Sequence, residues 1–180
     1  MTAGNGGLAR LDAAGDRLLE PLRNNKVSKT MFGFASRVGD FSIVWHVIGF
    51  LRAIGSVDRL RQAVFLSLAL GVESLVVNQG VKRLFRRERP TESGDHRFEV
   101  RTPSTSSFPS GHASSATFAV FVLASFAGWP ASLVFVAVAA TVALSRVVVR
   151  IHHLSDILGG IAVGALLGGV AAAVAGSVLG

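Results

Sequence analysis

The sequence predicts an all-α fold: an integral membrane bundle of about five membrane-embedded helices, preceded by an N-terminal amphipathic helix at the interface. Three observations carry this. Half of the 180 residues are hydrophobic, and the mean hydropathy of +0.51 is high for a protein that meets water on all sides. The apolar residues come in long blocks separated by sharply charged segments. No Pro/Ser-rich linker or internal repeat divides the chain, so residues 1–180 read as one domain, with 1–40 interfacial and 60–180 the helical core.

Residues 1–7 are small and polar, without the charged start and apolar core of a signal peptide, and none is expected. Leucines 8, 11, 18, 19 and 22 alternate with Arg10, Asp12, Asp16, Arg17 and Glu20 at helical period, giving a helix with one apolar face that suits the membrane surface. Residues 26–39, basic and aromatic, continue along that surface. Residues 41–57 are apolar, short and interrupted by Arg52, a marginal crossing. Residues 60–81 make a better span, in which Glu73 and Asn78 are read as interhelical hydrogen-bonding groups. Residues 112–127 form the next span, ended by Gly128-Trp129-Pro130 at the far surface. Residues 131–144 return, and 157–179 leave again. In that last helix Gly160, Gly164 and Gly168 recur every four residues, a stripe for close packing inside the bundle or, less favoured, for a homodimer.

Alternation of direction then puts the segments 82–112 and 145–156 on one membrane face. Lys82, Arg89, Ser110, Gly111, His112, Arg146, Arg150, His152, His153 and Asp156 all lie there, and the opposite face has almost no candidate groups. Several cations at the edge of a low-dielectric bundle call for a multiply charged anion, and phosphate fits best. Ser110-Gly111-His112 opens a helix, whose free N–H groups and positive dipole end favour an anion, and Gly111 permits close approach to the main chain. Asp156, four residues after His152, can hold one ring nitrogen and leave the other as a nucleophile. His112 can supply a proton to a leaving oxygen.

Each signal alone has a bland explanation: an Arg run flanks membrane helices routinely, Ser caps helices, and a His beside an Asp is usually structural. Three of them in order, each at a helix end on one face, point to a single site. There is no cysteine, so a disulfide framework and a thiolate metal site are excluded. The net charge of +7 rests on fifteen Arg and three Lys, a bias that suits bidentate phosphate contacts and also a GC-rich genome. A lipid phosphate in the bilayer is the expected partner, and no nucleic acid is.

These residues resemble the type 2 phosphatidic acid phosphatase superfamily, which includes lipid phosphatases, bacterial acid phosphatases, glucose 6-phosphatase and vanadium haloperoxidases. Its three-part signature reads here as Lys82 to Arg89-Pro90, Pro109-Ser110-Gly111-His112, and Ser145-Arg146 through His152 to Asp156, with every position present. The resemblance implies that Lys82, Arg89 and Arg146 hold phosphoryl oxygens, assisted by Ser110 and the Gly111 amide. It implies His152 as the nucleophile forming a phosphohistidine, Asp156 as its orienting partner, and His112 as the acid for the leaving alcohol, with no metal or cofactor. His153 and Arg150 are left as bystanders or supporting groups.

The implied function is an integral membrane lipid phosphatase acting on a polyprenyl or glycerophospholipid phosphomonoester or diphosphate. Compact size and Arg richness resemble the small members that act on decaprenylphosphoryl-5-phosphoribose. Residues 91–107, with His96, Arg97 and Arg101, are where headgroup selection is expected. Two other readings stay open, a vanadate-dependent haloperoxidase and a non-catalytic anion-binding or transport protein. Most membrane members have six crossings against at most five here. The expected location is multi-pass in the cell (inner or plasma) membrane, and the Lys/Arg bias favours a cytoplasm-facing site.

Overall fold

A computed structural model of the chain describes residues 3–93, 98 and 104–179, with side chains placed from residue 6 to 91, at 98 and from 104 to 179. The described residues form seven α-helices: α1 (Ala3–Asn24), α2 (Lys26–Gly39), α3 (Ile43–Ala53), α4 (Val57–Leu75), α5 (Gly111–Phe126), α6 (Trp129–Val148) and α7 (Leu154–Leu179). The described residues contain no strand. His96, Arg97 and Arg101 lie outside the described residues.

Three helical segments are long and apolar enough to cross a bilayer: Val57–Leu84, Trp129–Val148 and Leu154–Leu179. The first extends α4 through a π-turn (Val76–Gly80) and a 3₁₀ turn (Val81–Leu84). α5 is shorter at 16 residues. α3, with 11 residues, reaches about 17 Å, little more than half of a hydrocarbon core. It lies against the first half of α4, with Gly49 on Ala63 and Leu66. Phe50, Leu51, Leu68, Val72, Leu166 and Val170 stay exposed on the outside of the bundle, where lipid rather than water is the solvent.

The ends sort as alternation requires. Gln62 of α4, Phe126 of α5 and Gly176 of α7 line one cavity at the end remote from the charged loops. At the other end, the Ser110 amide donates to the Asp156 carbonyl at 2.9 Å, so α5 and α7 start side by side and run in the same direction. Their seam is made by the glycine stripe. A Cβ on Gly160 would come within 2.4 Å of the Ser110 carbonyl oxygen, one on Gly164 within 2.2 Å of the Ser114 oxygen, and one on Gly168 within 3.0 Å of Phe118 Cα. The stripe is therefore used inside the bundle, the favoured of its two expected roles, with α5 covering that face. Close backbone approach between helices needs exactly such small residues.

Two further expectations change. α1 does not lay a simple leucine face on the membrane: Leu18 is exposed, while its docked side carries Asp12, Gly15, Leu19 and Arg23. Gly15 rests on Leu154, and the Arg23 guanidinium donates to the Val147 and Val148 carbonyls in the last turn of α6. α2, capped by Asn25 accepting from Ser28 N, does not stay on the surface either. It buries Phe32, Ala35, Ser36 and Gly39 at helical spacing, largely against α6. Phe41 and Ser42 then adopt positive φ (53° and 60°), which turns the chain into α3. In the interior, Ser114 of α5 donates to buried Glu73 of α4, the expected interhelical bond. Asn78 instead bonds Ser74 within its own helix.

Candidate active site

All eight residues singled out in the sequence gather at the common end of α4, α5, α6 and α7. Lys82, in the 3₁₀ turn that closes the α4 segment, is buried, and its Nζ donates to Thr105 Oγ1 at 3.4 Å. The same Nζ is 3.7 Å from where a Cβ on Gly111 would stand, which sets the ammonium at the N-terminus of α5. A side chain at Gly111 would fill that space. Ser110 caps α5, its Oγ accepting from Ala113 N at 3.4 Å.

Arg89 is buried and spans from the 104–107 segment to His152. Its Nη2 donates to the carbonyls of Thr105 (3.0 Å) and Ser106 (3.2 Å), and its Nη1 donates to Ile151 O and lies 3.2 Å from His152 Nε2. Arg146, near the end of α6, is buried with Nη1 on Ser36 Oγ and 3.9 Å from Asp40 Oδ1, and its Nε has no hydrogen-bond partner among the described residues. His112 Nε2 sits 2.9 Å from the same Asp40 oxygen. Gly39 makes room for it, since a Cβ there would be 2.7 Å from His112 Cδ2.

His152 is 2% exposed, in the turn between α6 and α7. Its Nδ1 is 3.5 Å from Asp156 Oδ2 and 3.4 Å from Ser107 Oγ, and Ser107 Oγ donates to Asp156 Oδ2 at 2.5 Å. Asp156 is fully buried and accepts the His153 amide at 2.8 Å as well. A ring protonated at Nδ1 satisfies this acceptor side and leaves the Nε2 lone pair pointing toward Arg89. Burial is the largest influence on the ring and pushes its pKa well below the usual imidazole value; the Asp156 hydrogen bond opposes this, and the charges of Arg89 and Arg146 reinforce it.

Several functional neighbours escaped sequence reasoning. Asp40 and Ser36 enter because α2 folds into the bundle. Ser107 bridges His152 and Asp156. Arg87, read as part of a positive flank, instead pairs with Asp156 Oδ1 at 2.5 Å. Its position two residues before Arg89 was the only signal available. Arg150 pairs with Asp16 of α1, and the His153 side chain lines a cavity beside α1, away from the His152 ring.

Comparison with known proteins gives the family of the chain. The model of the PAP2 superfamily matches residues 62–177. The chain is 35% identical over 144 residues to decaprenylphosphoryl-5-phosphoribose phosphatase of Mycobacterium tuberculosis (strain ATCC 25618 / H37Rv), covering 78% of this chain and 77% of the relative. It is 35% identical over 128 residues to the protein of the same name from Mycolicibacterium smegmatis, covering 69% and 67%. Among solved structures, the transmembrane PAP2 type phosphatidylglycerolphosphate phosphatase from Bacillus subtilis superimposes with a TM-score of 0.68 at 23% identity, over 92% of this chain and 86% of that one. Aquifex aeolicus LpxE gives 0.68 at 20% identity, over 86% and 92%. The helical membrane fold, the matched family model and the phosphatase relatives lead to one assignment: the chain belongs to the PAP2 superfamily and is a membrane-embedded phosphoric monoester hydrolase.

Proposed function

We propose that the protein removes the phosphate of a polyprenyl-linked lipid in two steps through a phosphohistidine on His152. The observation that carries this is the placement of the buried His152 ring, with Nδ1 turned to Ser107 and Asp156 and Nε2 facing the Arg89 guanidinium. On substrate binding, Lys82, Arg89 and Arg146 take the phosphoryl oxygens, and the Gly111 amide at the α5 N-terminus adds a donor. The His152 Nε2 lone pair attacks phosphorus, the P–O bond to the lipid alcohol breaks, and His112 gives that alcohol its proton. Asp40 holds His112 for this step and balances the charge that Arg146 brings near it. In the second step His112 takes a proton from water, which attacks phosphorus and frees Nε2 and inorganic phosphate.

A polyprenyl phosphosugar is favoured over a glycerophospholipid because the relatives at 35% identity are named for decaprenylphosphoryl-5-phosphoribose. The site opens toward the cytoplasm. Among the described residues, Arg52, Arg59 and Arg61 are the only Lys or Arg residues at the opposite end, and the other thirteen lie on the catalytic side or in the first forty residues.

Detergent-purified protein is expected to release phosphate from polyprenyl phosphosugars faster than from phosphatidic acid or phosphatidylglycerol phosphate, and to do so in excess EDTA. His152→Ala should abolish turnover while phosphate binding survives, and His153→Ala should keep most activity. Chelator-sensitive turnover, or full activity in His152→Ala, overturns the mechanism; preference for a glycerophospholipid overturns the substrate.

A further inference from the structure

The catalytic-side carboxylate Asp156 has two oxygens with different partners. Oδ2 faces Ser107, the His153 amide and His152. Oδ1 is taken by Arg87 Nη1, which also donates to Ser155 Oγ at 2.7 Å. The other arm of Arg87, Nη2, pairs with Oδ2 of Asp12 on α1. Asp12 in turn accepts the Ser155 backbone amide at 2.9 Å and the Ser155 hydroxyl at 3.0 Å. Asp12 is thus a cap on the first turn of α7, brought from 143 residues away, and Arg87 is a bridge between two carboxylates.

We infer that Asp12 and Arg87 are positioning residues for the reaction, a carboxylate and guanidinium on α1 and the 82–90 segment that fix the place and the effective charge of Asp156. The inference rests on the roles of His152 and Asp156 given above. Its physical basis is charge as well as geometry. Arg87 alone would cancel most of the negative charge that Asp156 presents to His152. Asp12 restores one negative charge to the cluster, so that Asp12, Arg87 and Asp156 together carry a net charge of about −1 at neutral pH. A merely structural strap could have used a neutral contact here; a partly buried guanidinium shared between two buried acids depends on both partners.

The two substitutions therefore act in opposite directions on the acidic limb of the kcat/KM profile, which reports protonation of His152. The ring is faced by Asp156 from α7, Arg146 from α6 and Arg89 from the 82–90 segment, and Lys82 acts on Asp156 in addition. Asp12→Asn removes a negative charge, makes the imidazolium less favourable and moves the limb to lower pH. Arg87→Gln removes a positive charge and moves it to higher pH. Each shift is on the order of half a pH unit. Both variants lose about tenfold in kcat with KM within about twofold, because the phosphate ligands are untouched. Arg87→Lys keeps the charge and returns the limb to the wild-type position.

The test is the pH profile of the full chain in detergent, on the polyprenyl phosphosugar or whichever lipid phosphate it hydrolyses best, with wild type, Asp12→Asn, Arg87→Gln, Arg87→Lys and His152→Ala in parallel. Opposite shifts of the limb with lowered kcat support the inference. Shifts in the same direction, or wild-type kcat and limb in Asp12→Asn, overturn it. If Asp12→Asn does not yield folded protein, Arg87→Gln decides alone, and a limb at or below the wild-type position overturns the inference. Retained activity in His152→Ala overturns the nucleophile assignment itself, whereas loss there with wild-type behaviour in Asp12→Asn sinks only the present inference.

Discussion

Along the α5–α7 seam, Gly160 and Gly164 lie directly on the carbonyl oxygens of Ser110 and Ser114, with no side chain between the two backbones. At the junction of α1 with the 145–156 stretch, contact is made instead by the far ends of long charged side chains: Arg23 on the Val147 and Val148 carbonyls, Arg150 on Asp16, and Arg87 on Asp12. The first contact lies among membrane-embedded helices and the second on the polar side of them. In lipid there is no hydrophobic force between helices, so close van der Waals approach must hold the seam. At the polar end, charge-assisted hydrogen bonds have acceptors to find and some freedom to adjust. The seam sets where His112 stands relative to Asp156 and tolerates no added atom. The junction holds the turn that carries His152 and yields gradually.

Substitutions can break this contrast. Gly164→Leu drives a side chain into the Ser114 backbone, which cannot move without separating α5 from α7; the cost should exceed about 3 kcal/mol, and little folded monomer should elute in size exclusion. A smaller effect follows from pH. Unfolded histidine takes up a proton below about pH 6.5, but His152 in the native turn resists protonation, so stability present above that value is lost as pH falls toward the depressed native pKa. His152→Gln should flatten the detergent melting curve against pH below about pH 6.5. Arg23→Met, at a buried guanidinium that also pairs with Asp16 and Glu20, should cost about 1.5–2 kcal/mol and lower Tm by several degrees without changing oligomeric state. The smallest effect is ionic strength: Asp16 and Glu20 are partly exposed, so raising salt from about 0.05 to 0.5 M should cost below about 1 kcal/mol in wild type. The same change should leave the seam untouched, because no charge takes part in it.

The residues that were legible in the sequence are those at ends of apolar spans. Lys82, Arg89, Ser110, Gly111, His112, Arg146, His152 and Asp156 need only alternating crossings to meet. Asp40 and Ser36 were not legible, because their approach depends on α2 turning into the bundle at Phe41 and Ser42, two residues with positive φ that nothing in their side chains announces. Arg87 was hidden among arginines that a membrane flank explains equally well. Asp12 was hidden by an amphipathic pattern: the leucines of α1 suggested which face docks, yet the docked face is shared by Leu19 with Asp12 and Arg23. The glycine stripe was visible, but whether its partner lay in the same chain depended on the parallel course of α5, which only the assembled bundle supplies.

The π-turn at Val76–Gly80 has a consequence for phase. A π-turn places one extra residue in a helical turn, which advances everything after it by about 100° around the axis relative to an uninterrupted α-helix. Glu73 lies before the turn and bonds Ser114; Lys82 lies after it and reaches the start of the same helix, beside Gly111. Both face α5, although nine positions separate them and a regular helix would bring them only to within a half-turn of alignment. Length in this segment is therefore a functional coordinate. Removing one residue between Val76 and Gly80 would let the segment close into a regular α-helix with the lysine still facing α5, whereas straightening the π-turn at unchanged length would rotate the lysine out of the site.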